Sequence, residues 1–588
     1  MLAIRGTDER RLLIVLLVAF ALLAAGYNFS NPLGEASDEN SHFGVIRNYV
    51  LHGLLQGGRQ HEAFQPPLYY LIGSIIARPF DLQEARLLRN RDFTAGDPTS
   101  APNLFIHTAA EDWPYAPWVW AWHILRMYST ACVIVALVAT WHLGRLICPR
   151  EPAVALAATG LIVFAPGVLF IAAAVNNDNL TLMLAALTLR QCAILLRSPG
   201  SRHDHLLLGA LLGAGFATKL SLLTLWIPTL FAMIHASRGD ASSGLRRAFS
   251  RRLAWVVLGA LATGAWWAIY QWRAYGDPTG WGRTLDMNLR RDLPLTLESW
   301  VRWLKGIWES YWLQWLHLRQ PLWIYLALLA IPLVALLGWA RLLRARPERL
   351  DVLWPGVFAL ALQCMAVLVA WIIWTIHIRG TAQARLGFPA LPAAAVLMGI
   401  GLVMGWDRAG RPLAKGMVGA LLALSIWTLL GILRPTYAPP PTEPADGTEP
   451  SIVFGGVLGL DYEVAVQRDP LRPGDEISIE MRWQALAPVG RDVWLQLKLQ
   501  PVEGDPVIVD WGTPSAGWYA TDRWPVGRII RARHRMIVPQ GVSPGTYRLI
   551  ASMRPPLEDR WLPVAEHGQI IGEEVILAEL RVVGGASP

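Results

Sequence analysis

Charge and cysteine are both scarce. Of 588 residues, 16% are charged and four are cysteine. Cys132, Cys148, Cys192 and Cys364 lie in or beside apolar runs. They have neither metal-ligand spacing nor the pattern of a disulfide framework. A chain that is 53% hydrophobic, with mean hydropathy +0.34, does not read as an ordinary soluble protein. The net charge is +8, but the basic residues recur in short clusters between apolar runs. That distribution excludes a nucleic-acid partner and reads as topology signalling. There is no P-loop and no Gly-rich nucleotide fingerprint. Arg10 and Arg11 precede an apolar stretch, as in a signal peptide, yet no clean small-x-small cleavage site follows. The first helix is expected to stay attached.

What is present is a series of long apolar runs. A span needs about 20 such residues. Candidates fall at roughly 12–27, 118–146, 152–173, 179–196, 205–222, 222–236, 253–272, 321–340, 352–376, 386–405 and 415–433, about eleven in all. Lys219 interrupts the 205–236 pair. Basic clusters such as Arg10 and Arg11, Arg145 and Arg150, Arg197 and Arg202, Arg246 and Arg247, Arg341 and Arg344, and Arg408 and Arg411 fall in every second loop. By the positive-inside rule the expectation is a multi-pass plasma or inner-membrane protein. Its N-terminus would be cytoplasmic and its C-terminal region extracytoplasmic.

Two outer loops carry helical patterns. Residues 38–55 put Phe43, Ile46, Tyr49 and Val50 on one side, and Gln65-Pro66-Pro67 opens a second short helix. Trp300, Trp303, Ile307, Tyr311 and Trp315 recur at helical spacing in the later loop. The second short helix and the tryptophan-rich one are expected to lie in the membrane interface. For the tryptophan-rich one, an aromatic anchor without chemistry is the simpler account. The expected organisation is a transmembrane domain at 1–434, a Pro-rich linker at 435–450 and an extracytoplasmic β-sandwich at 451–588. The last rests on short alternating runs broken by Pro473-Gly474-Asp475 and Ser543-Pro544-Gly545.

Chemistry concentrates on the outer side. Asp38 and His42 are four apart in Ser37-Asp38-Glu39-Asn40-Ser41-His42 and share a helix face, with Glu39 one step round. A capped helix with acids in its first turn explains the same residues without chemistry. Asp178 follows the third apolar run, Lys219 lies near the outer end of its pair, and Arg385 begins the tenth run. Arg126 sits in the outer part of the second. A lysine in apolar surroundings must snorkel or meet a negative partner. Carboxylates Asp38, Glu39 and Asp178 with cations Lys219 and Arg385 fit attack by a hydroxyl or amine on a sugar carbon bearing phosphate. A carboxylate takes the proton, and the cations stabilise the departing phosphate. A divalent ion, if one is bound, would use Glu39 and Asp178. A sugar donor used outside must arrive on a lipid, because nucleotide sugars are cytoplasmic.

These residues resemble the GT-C glycosyltransferases, in particular the protein O-mannosyltransferases and lipid A aminoarabinose transferases. The acidic pair reads Asp38-Glu39-Asn40-Ser41-His42-Phe43-Gly44, followed by Pro66-Pro67-Leu68-Tyr69-Tyr70. Asn177-Asp178-Asn179-Leu180, Thr218-Lys219 and Gln383-Ala384-Arg385 to Pro392 continue the set, with Leu386 replacing the usual aromatic. The likeness covers roughly residues 10–430. It implies a polyprenyl-phosphate sugar donor and inversion at the sugar carbon. The acceptor would be a glycan, lipid or protein. By carry-over Asp38 is the acceptor-activating base and Asp178 an acceptor- or metal-site acid. Lys219 and Arg385 are lipid-phosphate ligands, with His42, Arg126 and Tyr69 in the binding region. An insertion at about 81–117 has no counterpart with a role. A transporter of lipid-linked glycans is the rival reading. No inverted repeat is visible, and the acids gather at one face rather than at mid-membrane. A membrane-anchored binding protein working through its sandwich would leave Lys219 unexplained.

Overall fold

The computed structural model describes residues 2–53, 62–97, 100–238, 244–345 and 353–583. It divides into two compact units, Met1–Glu84 with Trp120–Pro435, and Ala85–Val119 with Thr436–Pro588. The division is not linear. The 81–117 insertion falls mostly in the unit that contains the C-terminal strands.

The first unit is a multi-spanning helical membrane domain. Among the described residues nine helices are long and apolar enough to cross a membrane, or ten if one bent pair is a single span. That pair, Pro152–Val163 and Pro166–Ala172, bends by 67° where the 152–173 run was expected to be continuous. Pro166 disfavours helical geometry in the residue before it. The span expected at 205–222 is shorter than its apolar run. Helix Arg202–Phe216 has 15 residues and stops before Lys219, whose backbone is extended (φ −161°, ψ 135°). A one-turn-and-more 3-10 segment, Leu220–Leu225, then leads into Trp226–Arg238. The Arg202–Phe216 helix packs on Leu245–Tyr275 through glycines. A Cβ on Gly209 would lie 2.0 Å from the Val256 carbonyl oxygen, and one on Gly213 2.2 Å from that of Ala260. Small residues let helix backbones approach this closely.

Three shorter helices shape the loops. Glu39–His52 buries Phe43, Val45 and Ile46, and Phe43 stacks on Trp122 with ring centroids 3.8 Å apart. Leu68–Ala77 starts directly after Pro67, where a missing N–H costs least. Leu297–Tyr311 buries Trp303 and leaves Leu297, Val301 and Leu304 exposed along one stripe.

The second unit holds a four-stranded and a seven-stranded antiparallel sheet. Strand Glu476–Ala485 alternates fully, turning Ile477, Ile479, Met481, Trp483 and Ala485 inward. These pack with Leu497, Leu499, Leu549 and Met553 of the other sheet in one core, which makes a sandwich. Within this unit the insertion forms its own small ladder, Leu88–Arg89 with Phe105–Ile106. Ile106 packs on Trp494 and Ala520. The Asn90 amide donates to the Gly517 carbonyl (3.1 Å), and Arg523 donates to both oxygens of Asp112 (2.9 and 2.7 Å). Trp483, Trp494 and Trp524 are buried. Trp511 flanks the Arg554 guanidinium, and Trp518 is 37% exposed.

Candidate functional site

The site is assembled from four separate stretches of the first unit. Asp38 sits at the N-terminus of the Glu39–His52 helix in the left-handed region (φ 58°). Aspartate tolerates that geometry better than most residues, and such conformations cluster at functional sites. Asp178 opens the Asp178–Arg197 helix, after a loop braced by Asn176 and Asn179. Lys219 comes from the extended break described above. Arg385 is the second residue of a 3-10 turn, Ala384–Ala390, held to the Leu297–Tyr311 helix by the Ala384 N–H donating to Ser310 Oγ (2.9 Å).

Charges alternate through this group. Lys219 Nζ donates to Asp178 Oδ1 (2.6 Å), and Arg385 donates to Asp178 Oδ2 (3.0 Å). The other arm of Arg385 reaches Asp38 Oδ2, and its Nε donates to Gln383 Oε1 (2.8 Å). Ser37 Oγ donates to the same Gln383 oxygen (3.2 Å). Asp178 is 1% exposed, Lys219 12% and Arg385 10%, whereas Asp38 is 30% exposed. Asp38 is therefore the carboxylate a ligand can reach, and Asp178 is the strut that fixes the spacing of the two cations.

His42 borders the group. Its Nδ1 lies 2.8 Å from the Tyr70 hydroxyl. Burial pushes the imidazole down to about 3; Asp38 raises it, and Arg385 and Lys219 lower it further. The ring is neutral at any physiological pH. Asn177, Gln65 and Tyr70 complete its surroundings.

Three of the residues marked in the sequence stand apart from this group. Glu39 is completely buried, and its carboxylate accepts from Arg126 Nε and Nη2 (2.6 Å each), Trp122 Nε1 (3.0 Å), Val175 N (2.9 Å) and Gly34 N (3.1 Å). Arg126, also completely buried, donates in addition to the carbonyls of Asn28, Asn31 and Pro32. All five guanidinium donors are thereby used. Tyr69 is likewise a brace, its hydroxyl lying 2.7 Å from Ser129 Oγ and accepting from Asn176 N (2.9 Å). These three tie the segment before Asp38 to the loop before Asp178. Sequence spacing marked the region but not the division of labour. Gln65, Tyr70, Asn177 and Gln383 also border the group, and sequence spacing alone does not reveal them, although each lies in or beside one of the motifs.

The carboxylates do not fit a divalent ion. Both Asp178 oxygens face cations, and Glu39 has Arg126 in bidentate contact. Among the described residues no three His, Cys, Asp or Glu side chains converge as metal ligands.

No protein-family model and no curated protein matches the chain. Similarity is found among solved structures. ArnT from Cupriavidus metallidurans in the apo state aligns with TM-score 0.43 at 16% identity, covering 69% of this chain and 63% of that one. The same protein bound to undecaprenyl phosphate aligns with TM-score 0.43 at 15% identity and the same coverages. An Archaeoglobus fulgidus oligosaccharyltransferase aligns with TM-score 0.38 at 12% identity, covering 71% of this chain and 53% of that one. The chain thus spans less than two thirds of the length of these structures.

Proposed function

We propose that the chain is a GT-C-like membrane glycosyltransferase that moves a sugar from a polyprenyl-phosphate carrier to an acceptor on the extracytoplasmic side. The observation that carries this reading is the pair Lys219 and Arg385, held by one buried carboxylate beside the more exposed Asp38. Two fixed cations next to a reachable base suit displacement of a phosphate from a sugar. The phosphate of the donor competes with Asp38 for Arg385 and draws on Lys219. Asp38 is then released to take the proton of the attacking hydroxyl or amine. The bond from that oxygen or nitrogen to the anomeric carbon forms as the carbon–oxygen bond to phosphate breaks. The leaving phosphate keeps the electron pair, and the cations stabilise it without a general acid. Attack opposite the phosphate inverts the carbon. Sidedness rests on the basic clusters of the sequence, and lipid delivery on the absence of a nucleotide fingerprint.

The test is the lipid content of the full-length protein purified in mild detergent, read by mass spectrometry beside Lys219→Ala. The expected result is a polyprenyl phosphate or phosphosugar in the wild type that the variant loses. Bulk phospholipid alone, even after polyprenyl phosphate is added, would overturn the reading.

A further inference from the structure

Among the buried polar atoms bordering the site, His42 Nε2 has no hydrogen-bond partner among the described residues, and its ring is 1% exposed. Unpaired buried donors are rare in native proteins and call for an explanation. The direction of the hydrogen bonds behind it decides what that atom is. A carboxylate only accepts. Gln65 Nε2 therefore donates to Glu62 Oε2 (2.6 Å), which turns Gln65 Oε1 toward Asn177. Asn177 Nδ2 donates to that oxygen (3.0 Å) and to the Tyr70 hydroxyl oxygen (3.4 Å). The Tyr70 hydroxyl proton finds its acceptor in His42 Nδ1, 2.8 Å away, when the ring carries its own proton at Nε2. A neutral imidazole that accepts at Nδ1 carries its proton at Nε2. In that tautomer the chain of hydrogen bonds from Glu62 ends in a buried N–H without a partner among the described residues. His42 lies one helical turn from Asp38, and its ring interacts electrostatically with Asp38, Arg385, Lys219 and Asp178.

We propose that His42 Nε2–H is a neutral hydrogen-bond donor to an oxygen of the ligand's phosphate, and that Tyr70, Asn177 and Gln65 are positioning residues that fix its tautomer. The inference rests on the phosphate-donor reading and deepens it. Lys219 and Arg385 supply charge, which acts over distance. His42 supplies a directional bond that does not depend on the ring's charge, because Nε2 carries a proton in this neutral tautomer and in the imidazolium alike.

The experiment measures binding of a short-chain polyprenyl phosphate to the detergent-purified full-length protein. The prenol of equal length and inorganic phosphate serve as comparisons. Variants are His42→Phe, His42→Gln and Tyr70→Phe. Losing a hydrogen bond to a charged group predicts roughly ten- to a hundredfold weaker binding for His42→Phe. His42→Gln, whose amide nitrogen reaches near the Nε2 position, recovers most of it. Tyr70→Phe shows a smaller loss, because both tautomers become available. The prenol distinguishes none of the proteins. A loss shared by inorganic phosphate makes any phosphate the ligand, and a loss confined to the lipid makes it the lipid headgroup; both support the donor bond. Wild-type affinity in a folded His42→Phe, or no recovery in a folded His42→Gln, overturns it while leaving the phosphate reading intact. If His42→Phe does not fold, unchanged affinity in Tyr70→Phe overturns it instead. Failure of the wild type to bind any phosphate overturns both readings.

Discussion

Asp38 and Glu39 are neighbours of the same chemical type with opposite surroundings. Glu39 is sealed in a five-bond pocket with Arg126, whereas Asp38 stands at a strained turn and is 30% exposed. The two carboxylates should respond differently to loss of charge. Asp38→Asn should fold with a normal melting temperature and lose transfer by about 10²–10⁴-fold, the usual contribution of a positioned base. Glu39→Gln should instead lose stability, because it leaves the buried Arg126 charge unpaired, a defect worth about 3–5 kcal/mol. Thermal unfolding and donor-dependent transfer, measured on both proteins, separate the roles. A stable but inactive Glu39→Gln would return Glu39 to the chemistry.

At the level of elements, the site depends on where helices stop. Lys219 can meet Asp178 because the Arg202–Phe216 helix ends early and the backbone there is extended. That helix is located by backbone contact with Leu245–Tyr275 across Gly209 and Gly213. Gly209→Val would place side-chain carbon against the Val256 carbonyl and push the helices apart. Overpacking of this kind costs about 1–3 kcal/mol or more. The expected outcome is a lower melting temperature together with weaker donor binding, since Lys219 moves with the helix end. Unchanged binding in Gly209→Val would uncouple the helix contact from the site.

At the level of the whole molecule, the insertion belongs to the β unit, and its docking should be sensitive to pH. Asp92 Oδ2 is buried without a hydrogen-bond partner among the described residues. Burial, with Asp510 nearby, pushes the Asp92 carboxyl up to about 6. Burial likewise raises Asp492 to about 6 and raises Asp522. A carboxyl raised above its unfolded value near 3.9 binds more protons in the folded state. Folded stability therefore falls as pH rises from about 4 to about 6 and is level above that. Buried His534 is lowered and works in the opposite direction, against three carboxyls. Hydrogen exchange at Phe105 and Ile106, corrected for intrinsic rates, should show more protection at pH 5 than at pH 7.5. Asp92→Asn should reduce that difference; an unchanged difference would remove Asp92 as its source.

The sequence by itself determined the architecture in outline, because burial of apolar runs in lipid and alternation in a sheet are periodic properties of neighbouring residues. The long helices, the helical patterns around Phe43 and Trp303, and the alternating strand at Glu476–Ala485 were legible for that reason. The motif spacing also marked Asp38, Asp178, Lys219 and Arg385, which the fold brings into one alternating chain of charge. Only the tertiary structure decided which charges are spent on structure. Glu39 and Arg126 look as reactive in one dimension as Asp38 and Lys219, and nothing local shows that each is the other's partner across 87 positions. The same holds for the partners of His42 and for the place of the insertion. Each is set by contacts between residues far apart in the chain, which sequence periodicity does not record.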